Sequence, residues 1–254
     1  MSGRIAIITA GGAAPAIIIN RLTDDFPDLL LVNEQPETKS MFLKRRARRI
    51  GWYQTLAQLP TQFLSKFAKS AVTRRYAAIE RKFGVSMEPP RDVNTIAISS
   101  VNDGALGQIL KDNDVVLVFV VGARMFTKAT LSSMQVPILN FHAGFTPDYR
   151  GVNGGYWALV EGRPERFGGT IHHIDQGVDT GDVIAQVPCV AAPNDNLMTY
   201  QHTISAQCAQ ACGEAIRQVL AGTAEPFQPA GNSKQHYHPT IQFYVWTGLT
   251  RKVW

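Results

Sequence analysis

The chain has 254 residues, 45% of them hydrophobic and 18% charged, with three cysteines and a formal net charge of +5. That balance fits one sizeable α/β domain with elaborations and excludes a disordered, fibrous or disulfide-stapled chain. No apolar run approaches the roughly 20 residues a membrane span needs, and the N-terminus reads straight into a strand without a signal sequence, so a cytoplasmic location is expected.

In chain order, residues 4–9 (RIAIIT) predict a β-branched strand that ends at Gly11-Gly12 and feeds a helix over 14–22. Strand, glycine turn and helix are how parallel α/β sheets begin. Residues 29–32 predict a second strand. Residues 41–83 are helix-rich, interrupted at Gly51 and Pro60, and far too long for an ordinary connection. From Lys44 to Lys82 this stretch carries eleven Lys/Arg against one acid, Glu80, a local charge of +10 that leaves −5 for the rest. Strands follow at 95–98 and 115–121, the latter (VVLVFVV) apolar at every position, as a strand covered on both faces must be. A short helix at 129–134, a strand at 137–141, a helix at 154–161, strands at 169–174 and 183–190 and a long helix at 197–220 complete the alternation. The expected fold is a Rossmann-like, mostly parallel sheet with helices on both faces. The tail from Glu225 reads as irregular.

Chemistry concentrates in three places. In Ile138-Leu139-Asn140-Phe141-His142, strand alternation puts Asn140 and His142 on one face. An amide donor beside an imidazole suits acyl transfer to nitrogen: the amide stabilises charge on a carbonyl oxygen and the imidazole manages the proton the amine loses. A turn-rich loop, Gly144 to Gly151, carries Tyr149 and Arg150. Residues 168–184 then form a strand, an acidic loop bearing Asp175 and Asp179, and a second strand. Cys189, Cys208 and Cys212 lack ligand spacing, and no metal site is expected.

The ordered set N-x-H, P-x-Y-R-G and G-x-T-x-H-x-x-D-x-x-x-D-x-G-x-x-I resembles the formyltransferase superfamily that uses N10-formyltetrahydrofolate, over residues 115–186 with weaker agreement at the first strand. The resemblance implies that Asn140 polarises the formyl carbonyl, His142 transfers a proton, and Asp179 holds the histidine and an ordered water. It implies that the backbone of Arg124-Met125-Phe126-Thr127 grips the pterin, that Asp175 begins the loop closing over it, and that Thr170 and His172 support that loop. Tyr149 and Arg150 are candidate substrate contacts or loop-ordering residues. The implied reaction is direct transfer, with no acyl-enzyme and no metal.

Acceptor choice is read by comparison within that superfamily. The glycinamide ribonucleotide enzymes cradle a phosphate with Ser and Asn after the first strand, whereas this chain has Ala10-Gly-Gly-Ala-Ala-Pro-Ala16. The methionyl-tRNA enzymes use a further C-terminal barrel, for which the stretch after residue 186 is too short. The expected acceptor is therefore the primary amine of a nucleotide-linked amino sugar for surface polysaccharide or lipopolysaccharide. A glycinamide ribonucleotide-type enzyme and a non-catalytic folate-binding module are the alternatives. Expected domains are a catalytic unit at 1–224, including the basic insertion at 41–83, and an extension at 225–254. The plain reading of the basic segment is a solvated helical face; some of Lys44–Arg49, or Arg74-Arg75, are candidates to meet the diphosphate, with a tail aromatic such as Tyr237 stacking on the base. Peripheral contact with an anionic membrane through 42–63 (Phe42, Leu43, Ile50, Trp52, Leu56, Leu59 and Phe63) is another reading of the insertion. Nucleic-acid binding has no motif behind it, and a homodimer is the default assembly.

Overall fold

The computed structural model describes residues 3–61 and 69–254. Its frame is a seven-stranded sheet of β1 (Arg4–Thr9), β2 (Leu29–Glu34), β3 (Asn94–Ile98), β4 (Val115–Val120), β5 (Ile138–His142), β7 (Gly168–His173) and β8 (Val183–Pro188), ordered β3-β2-β1-β4-β5-β7-β8. The first five strands in that order are parallel, and β7 pairs antiparallel with both β5 and β8. Alternate residues of the central strands enter two separate cores, so both faces are covered. Ile5 and Ile7 of β1 join α1 (Ala13–Asp25) and α8 (Tyr200–Ala221), while Ala6 and Ile8 join α5 (Leu106–Asp112). Burial on both sides is why these strands read as unbroken apolar runs. α6 (Lys128–Ser133) and α7 (Gly154–Val160) complete the crossovers. The order of the strands reverses between β1 and β4, which opens a crevice at their carboxyl ends.

The basic insertion forms α2 (Lys39–Ile50), α3 (Trp52–Ala57) and α4 (Lys69–Phe83). Gly51, at φ 82°, separates α2 from α3 as expected. The second interruption falls just before Pro60: α3 ends at Ala57 with Gln58 as its C-cap, and residues 59–61 are helical again, a first turn in which the missing proline N–H costs nothing. Of the apolar face read at 42–63, Trp52 and Leu56 are exposed, as is Tyr53 beside them. Phe63 lies outside the described residues and the Phe42 side chain is not described. Among the described residues no helix is long and apolar enough to cross a membrane.

Arg75 of α4 is committed elsewhere than to a ligand. Its guanidinium forks onto Asp195 at 2.6 and 3.1 Å, and Thr199 and Thr203 complete the shell around that carboxylate. With the Asp195 side chain at 0% exposure and Arg75 at 11%, the pair staples the insertion to the catalytic frame. Arg75→Ala leaves a buried carboxylate unpaired and is expected to destabilise the fold by about 3 kcal/mol. A lower urea midpoint at unchanged slope would show it, and removing both partners (Arg75→Met with Asp195→Leu) should recover most of the loss.

The tail departs from the irregular segment expected of it. β9 (Gln235–His236) pairs in parallel with β6 (Arg150–Gly151), and α9 (Ile241–Arg251) is a full helix capped by Thr240. It buries Tyr244 and Thr247 and turns Val245, Trp246 and Leu249 outward.

Candidate active site

Sheet register brings the predicted residues together. β5 and β7 pair Asn140 with His172 and His142 with Thr170, so the side chains of the two motifs face each other across one ladder. Asn140 Nδ2 lies 3.1 Å from His172 Nε2. His172 Nδ1 sits 2.7 Å from the His173 carbonyl, so Nδ1 carries the proton and Nε2 accepts from the amide. One of the two amide N–H groups of Asn140 is thereby used, and the other remains for a ligand.

His142 is fixed in the same manner. Its Nε2 lies 2.7 Å from the Tyr149 carbonyl, which leaves Nδ1 as the basic nitrogen, 3.6 Å from Asp179 Oδ2. Gly144 makes this approach feasible, since a Cβ there would stand 2.6 Å from both His142 Nε2 and Tyr149 O. Thr170 Oγ1 donates to Gly144 O and accepts from Thr146 N, so it supports this turn and not the acidic loop.

Asp179 is where the three motifs converge. Oδ1 lies 3.6 Å from His172 Nε2, and Oδ2 accepts from Gly151 N at 2.9 Å. Burial works against ionising this carboxyl. The His142 and His172 rings and the Gly151 N–H outweigh that penalty and hold it well below the usual carboxylate range. Asp179 is therefore an anion wedged between two imidazoles. Its φ of 51° is a left-handed conformation that Asp and Asn tolerate better than most side chains.

Two cavities meet at these residues. One, of about 110 Å³, is lined by Ala123 to Phe126, Asn140, His172 and the acidic loop from Asp175 to Asp179. Its floor is clipped by a charge the sequence reading missed, the buried Glu34. That carboxylate pairs with Arg124 Nε at 2.8 Å and accepts the N–H groups of Val101 and Arg124. Asn102 holds the same loop through Met125 O and Thr127 N. Arg124 thus offers its backbone, because its side chain is occupied. Thr127 is not among the residues lining this cavity, and its side chain caps α6 through Thr130 N. Asp175 lines the wall and folds its own loop, accepting from Gly177 N and Thr180 Oγ1.

The second cavity, of about 290 Å³, lies across His142 and is lined by Ala14, Pro15, Gly151, Asn153, Gln201, Ser205 and His238. His238 Nδ1 accepts from Asn153 Nδ2 at 2.9 Å. Its burial, and secondarily the charge of Arg46, lower its pKa to about 4, so it is neutral at pH 7. Of these residues only Gly151 belonged to a motif; Asn153, Gln201, Ser205 and His238 had not been marked as site residues.

Neither Tyr149 nor Arg150 lines these two cavities; of the two readings open for them, their hydrogen bonds favour ordering the loop. Tyr149 is fully buried with its hydroxyl on Glu161 Oε2 at 2.9 Å; burial, then that carboxylate, push its pKa up to about 12. Arg150 donates to Val178 O at 2.8 Å and so orders the acidic loop. A larger hollow of about 1100 Å³ lies at the amino ends of the strands, between Gly3, Lys111 and Gln135, and contains none of the site residues. Among the described residues no group of three or more His, Cys, Asp or Glu could hold a metal ion.

Comparison with known proteins accords with this geometry. A family model described as formyl transferase matches residues 65–216, more than half of the chain. A methionyl-tRNA formyltransferase of Agathobacter rectalis is 32% identical over 142 residues, which is 54% of this chain and 45% of that protein. The chain spans about half the length of the curated relatives it matches. Among solved structures, a phosphoribosylglycinamide formyltransferase of Anaplasma phagocytophilum superposes with a TM-score of 0.58 at 14% identity, covering 93% of this chain and 100% of that one. The formyltransferase PseJ of Anoxybacillus kamchatkensis, in complex with UDP-4,6-dideoxy-4-formamido-L-AltNAc and tetrahydrofolate, gives 0.52 at 17% identity, covering 96% and 90%. These structural likenesses establish the Rossmann-like fold. On the family match itself, this chain is a member of the formyl transferase family.

Proposed function

We propose that this protein transfers a formyl group from N10-formyltetrahydrofolate to the primary amine of a nucleotide-linked amino sugar. The observation that carries the reading is the Asp179 carboxylate held 3.6 Å from both the His142 and His172 rings, beside Asn140 and between two cavities. The smaller cavity suits a flat heterocycle that hydrogen-bonds to backbone, since its wall is the clipped 123–126 loop and the acidic loop. The larger one, on the His142 side, is the entry for the amine.

In this mechanism the amine nitrogen attacks the formyl carbon, and the remaining Asn140 N–H stabilises the oxygen as it gains charge. The amine proton passes to His142 Nδ1, the nitrogen left basic by the Tyr149 carbonyl. Asp179 stabilises the resulting imidazolium. The carbon–N10 bond then breaks, and N10 takes up a proton, regenerating neutral His142. No residue is acylated.

The acceptor class is supported by the absence of hydroxyl or amide side chains from residues 10 to 16, where Ala14 and Pro15 line the amine-side cavity. A nucleotide-sugar product also accompanies tetrahydrofolate in the Anoxybacillus relative. The test is incubation with N10-formyltetrahydrofolate and a panel of UDP-, GDP- and dTDP-linked amino sugars, alongside glycinamide ribonucleotide and methionyl-tRNA. Turnover of at least one nucleotide sugar is expected. Turnover confined to glycinamide ribonucleotide or methionyl-tRNA would overturn the acceptor assignment.

A further inference from the structure

A third cavity, of about 320 Å³, is built by segments nearly two hundred residues apart. Arg45, Arg46 and Arg49 of α2 line one side, Gln235, His236 and Tyr237 of the tail another, and Arg124, Met125, Gly151, Val152, Val178 and Asp179 the base. It shares Gly151 and Val152 with the amine-side cavity, and Arg124, Met125, Val178 and Asp179 with the cavity beside Asn140. A ligand seated here can therefore extend to the reacting centre without leaving protein surface.

The guanidiniums are positioned rather than dangling. Arg45 and Arg49 are four residues apart on one helix and so share a face. Arg45 pairs with Glu37 at 2.8 Å, Arg46 bonds to Gln58, and Arg49 rests against the Met125 sulfur at 3.7 Å. The tail is held to match: Trp157 Nε1 donates to Tyr237 O, and β9 pairs with β6 next to Asp179's partner Gly151. The one acid in the lining is Asp179, already balanced by two imidazoles. What this wall recognises is a compact, multiply charged oxyanion with a flat ring attached, since guanidinium forks match phosphate oxygens and a phenol face takes a base.

We propose that Arg45, Arg46 and Arg49, with Tyr237, form the subsite for the diphosphate and base of a nucleoside-diphosphate-linked acceptor. The proposal rests on the acceptor class given above and adds its point of attachment: the helical insertion and the tail grip the nucleotide, and the sugar reaches past Gly151 to His142. This explains why the basic charge is concentrated on the insertion, and it gives the tail a part in specificity.

Titration calorimetry with UDP, GDP, dTDP and inorganic pyrophosphate tests it on the full chain. At least one nucleotide is expected to bind the wild type, and the Arg45→Ala/Arg49→Ala double variant to weaken it about a hundredfold. Arg48→Ala removes the same charge from the same helix outside the cavity and should change binding less than about twofold, as expected for an exposed charge. Arg49→Lys, with its melting temperature measured beside the wild type, separates lost contact from lost fold, and should bind more tightly than the corresponding alanine variant. In turnover the double variant should raise KM for the acceptor while kcat at saturation holds. Unchanged nucleotide affinity in the double variant overturns the subsite, as does a raised KM for a polyglutamyl donor with acceptor KM unmoved, which would assign the arginines to the folate tail. Failure of every nucleotide sugar as an acceptor strikes the acceptor class itself, whereas normal turnover with insensitive KM strikes only the subsite.

Discussion

His142→Ala is expected to turn over at least ~10²-fold more slowly than the wild type while binding N10-formyltetrahydrofolate with unchanged affinity. The imidazole lines the amine-side cavity with one nitrogen left unprotonated by its hydrogen bond to the Tyr149 carbonyl and with Asp179 beside it. It touches the acidic loop only through Asp179 and is not among the residues lining the cavity of residues 123–126, so donor binding is expected to survive removal of the ring. Single-turnover transfer and equilibrium binding, measured on the same preparation, check both halves. A protein that senses folate without using it would be indifferent to the substitution. Equal turnover in variant and wild type would therefore favour a binding module and remove His142 from the mechanism.

Asp179→Asn is the second large effect. Asparagine keeps the left-handed backbone at φ 51° and can still accept from Gly151 N, so the loop should retain its course. What is lost is the charge between His142 and His172, and with it the stabilisation of a protonated His142. A fall of about 10²-fold in kcat is expected, with the KM for the donor changing little. Stability should respond to pH with a definite sign. Asp179 ionises more readily folded than unfolded, so its contribution is complete above the ordinary carboxylate pKa of about 4 and is lost as pH falls through its lower folded value. The gap in melting temperature between wild type and Asp179→Asn should therefore begin to narrow on moving from pH 7 to pH 3. A gap that widened in acid would contradict the depressed ionisation.

The strands were legible because parallel, doubly covered strands leave no room for polar alternation. Val115 to Val120 and Arg4 to Thr9 announce themselves by composition alone. α5 was not legible: it has seven residues, one of them Gly107, too few for a helical period to emerge. α9 was hidden for the opposite reason. Val245, Trp246 and Leu249 on its outer face erase the polar stripe that marks a surface helix, and Gly248 inside it reads as a breaker. The fold itself accounts for that glycine, because the ring of Trp254 lies against it where a Cβ would stand.

The site divides along similar lines. Asn140 and His142 on one face follow from alternation within β5, which is local. That His172 stands opposite Asn140 depends on the β5–β7 register, and that Asp179 reaches both rings depends on the loop between β7 and β8 folding back. Those are tertiary facts, of which the family resemblance anticipated only the meeting of Asp179 with His142. Glu34 and Asn102 were invisible because a lone acid at a strand end and a lone amide in a turn look like surface residues. Their importance lies in where their oxygens point. The meeting of Arg45 with Tyr237 around one cavity belongs to the same class.

The central claim is that an amide, an imidazole and a buried carboxylate move one formyl group between a folate and an amine. Isotopically labelled formyl-tetrahydrofolate, mixed with the accepted nucleotide sugar and followed by mass spectrometry, measures that movement itself. The label should appear as a formamide on the acceptor with the wild type and fall by at least ~10²-fold in rate with Asn140→Ala, at saturating donor and acceptor. Label released as formate with none on the acceptor, or transferred at the wild-type rate by Asn140→Ala, would contradict it.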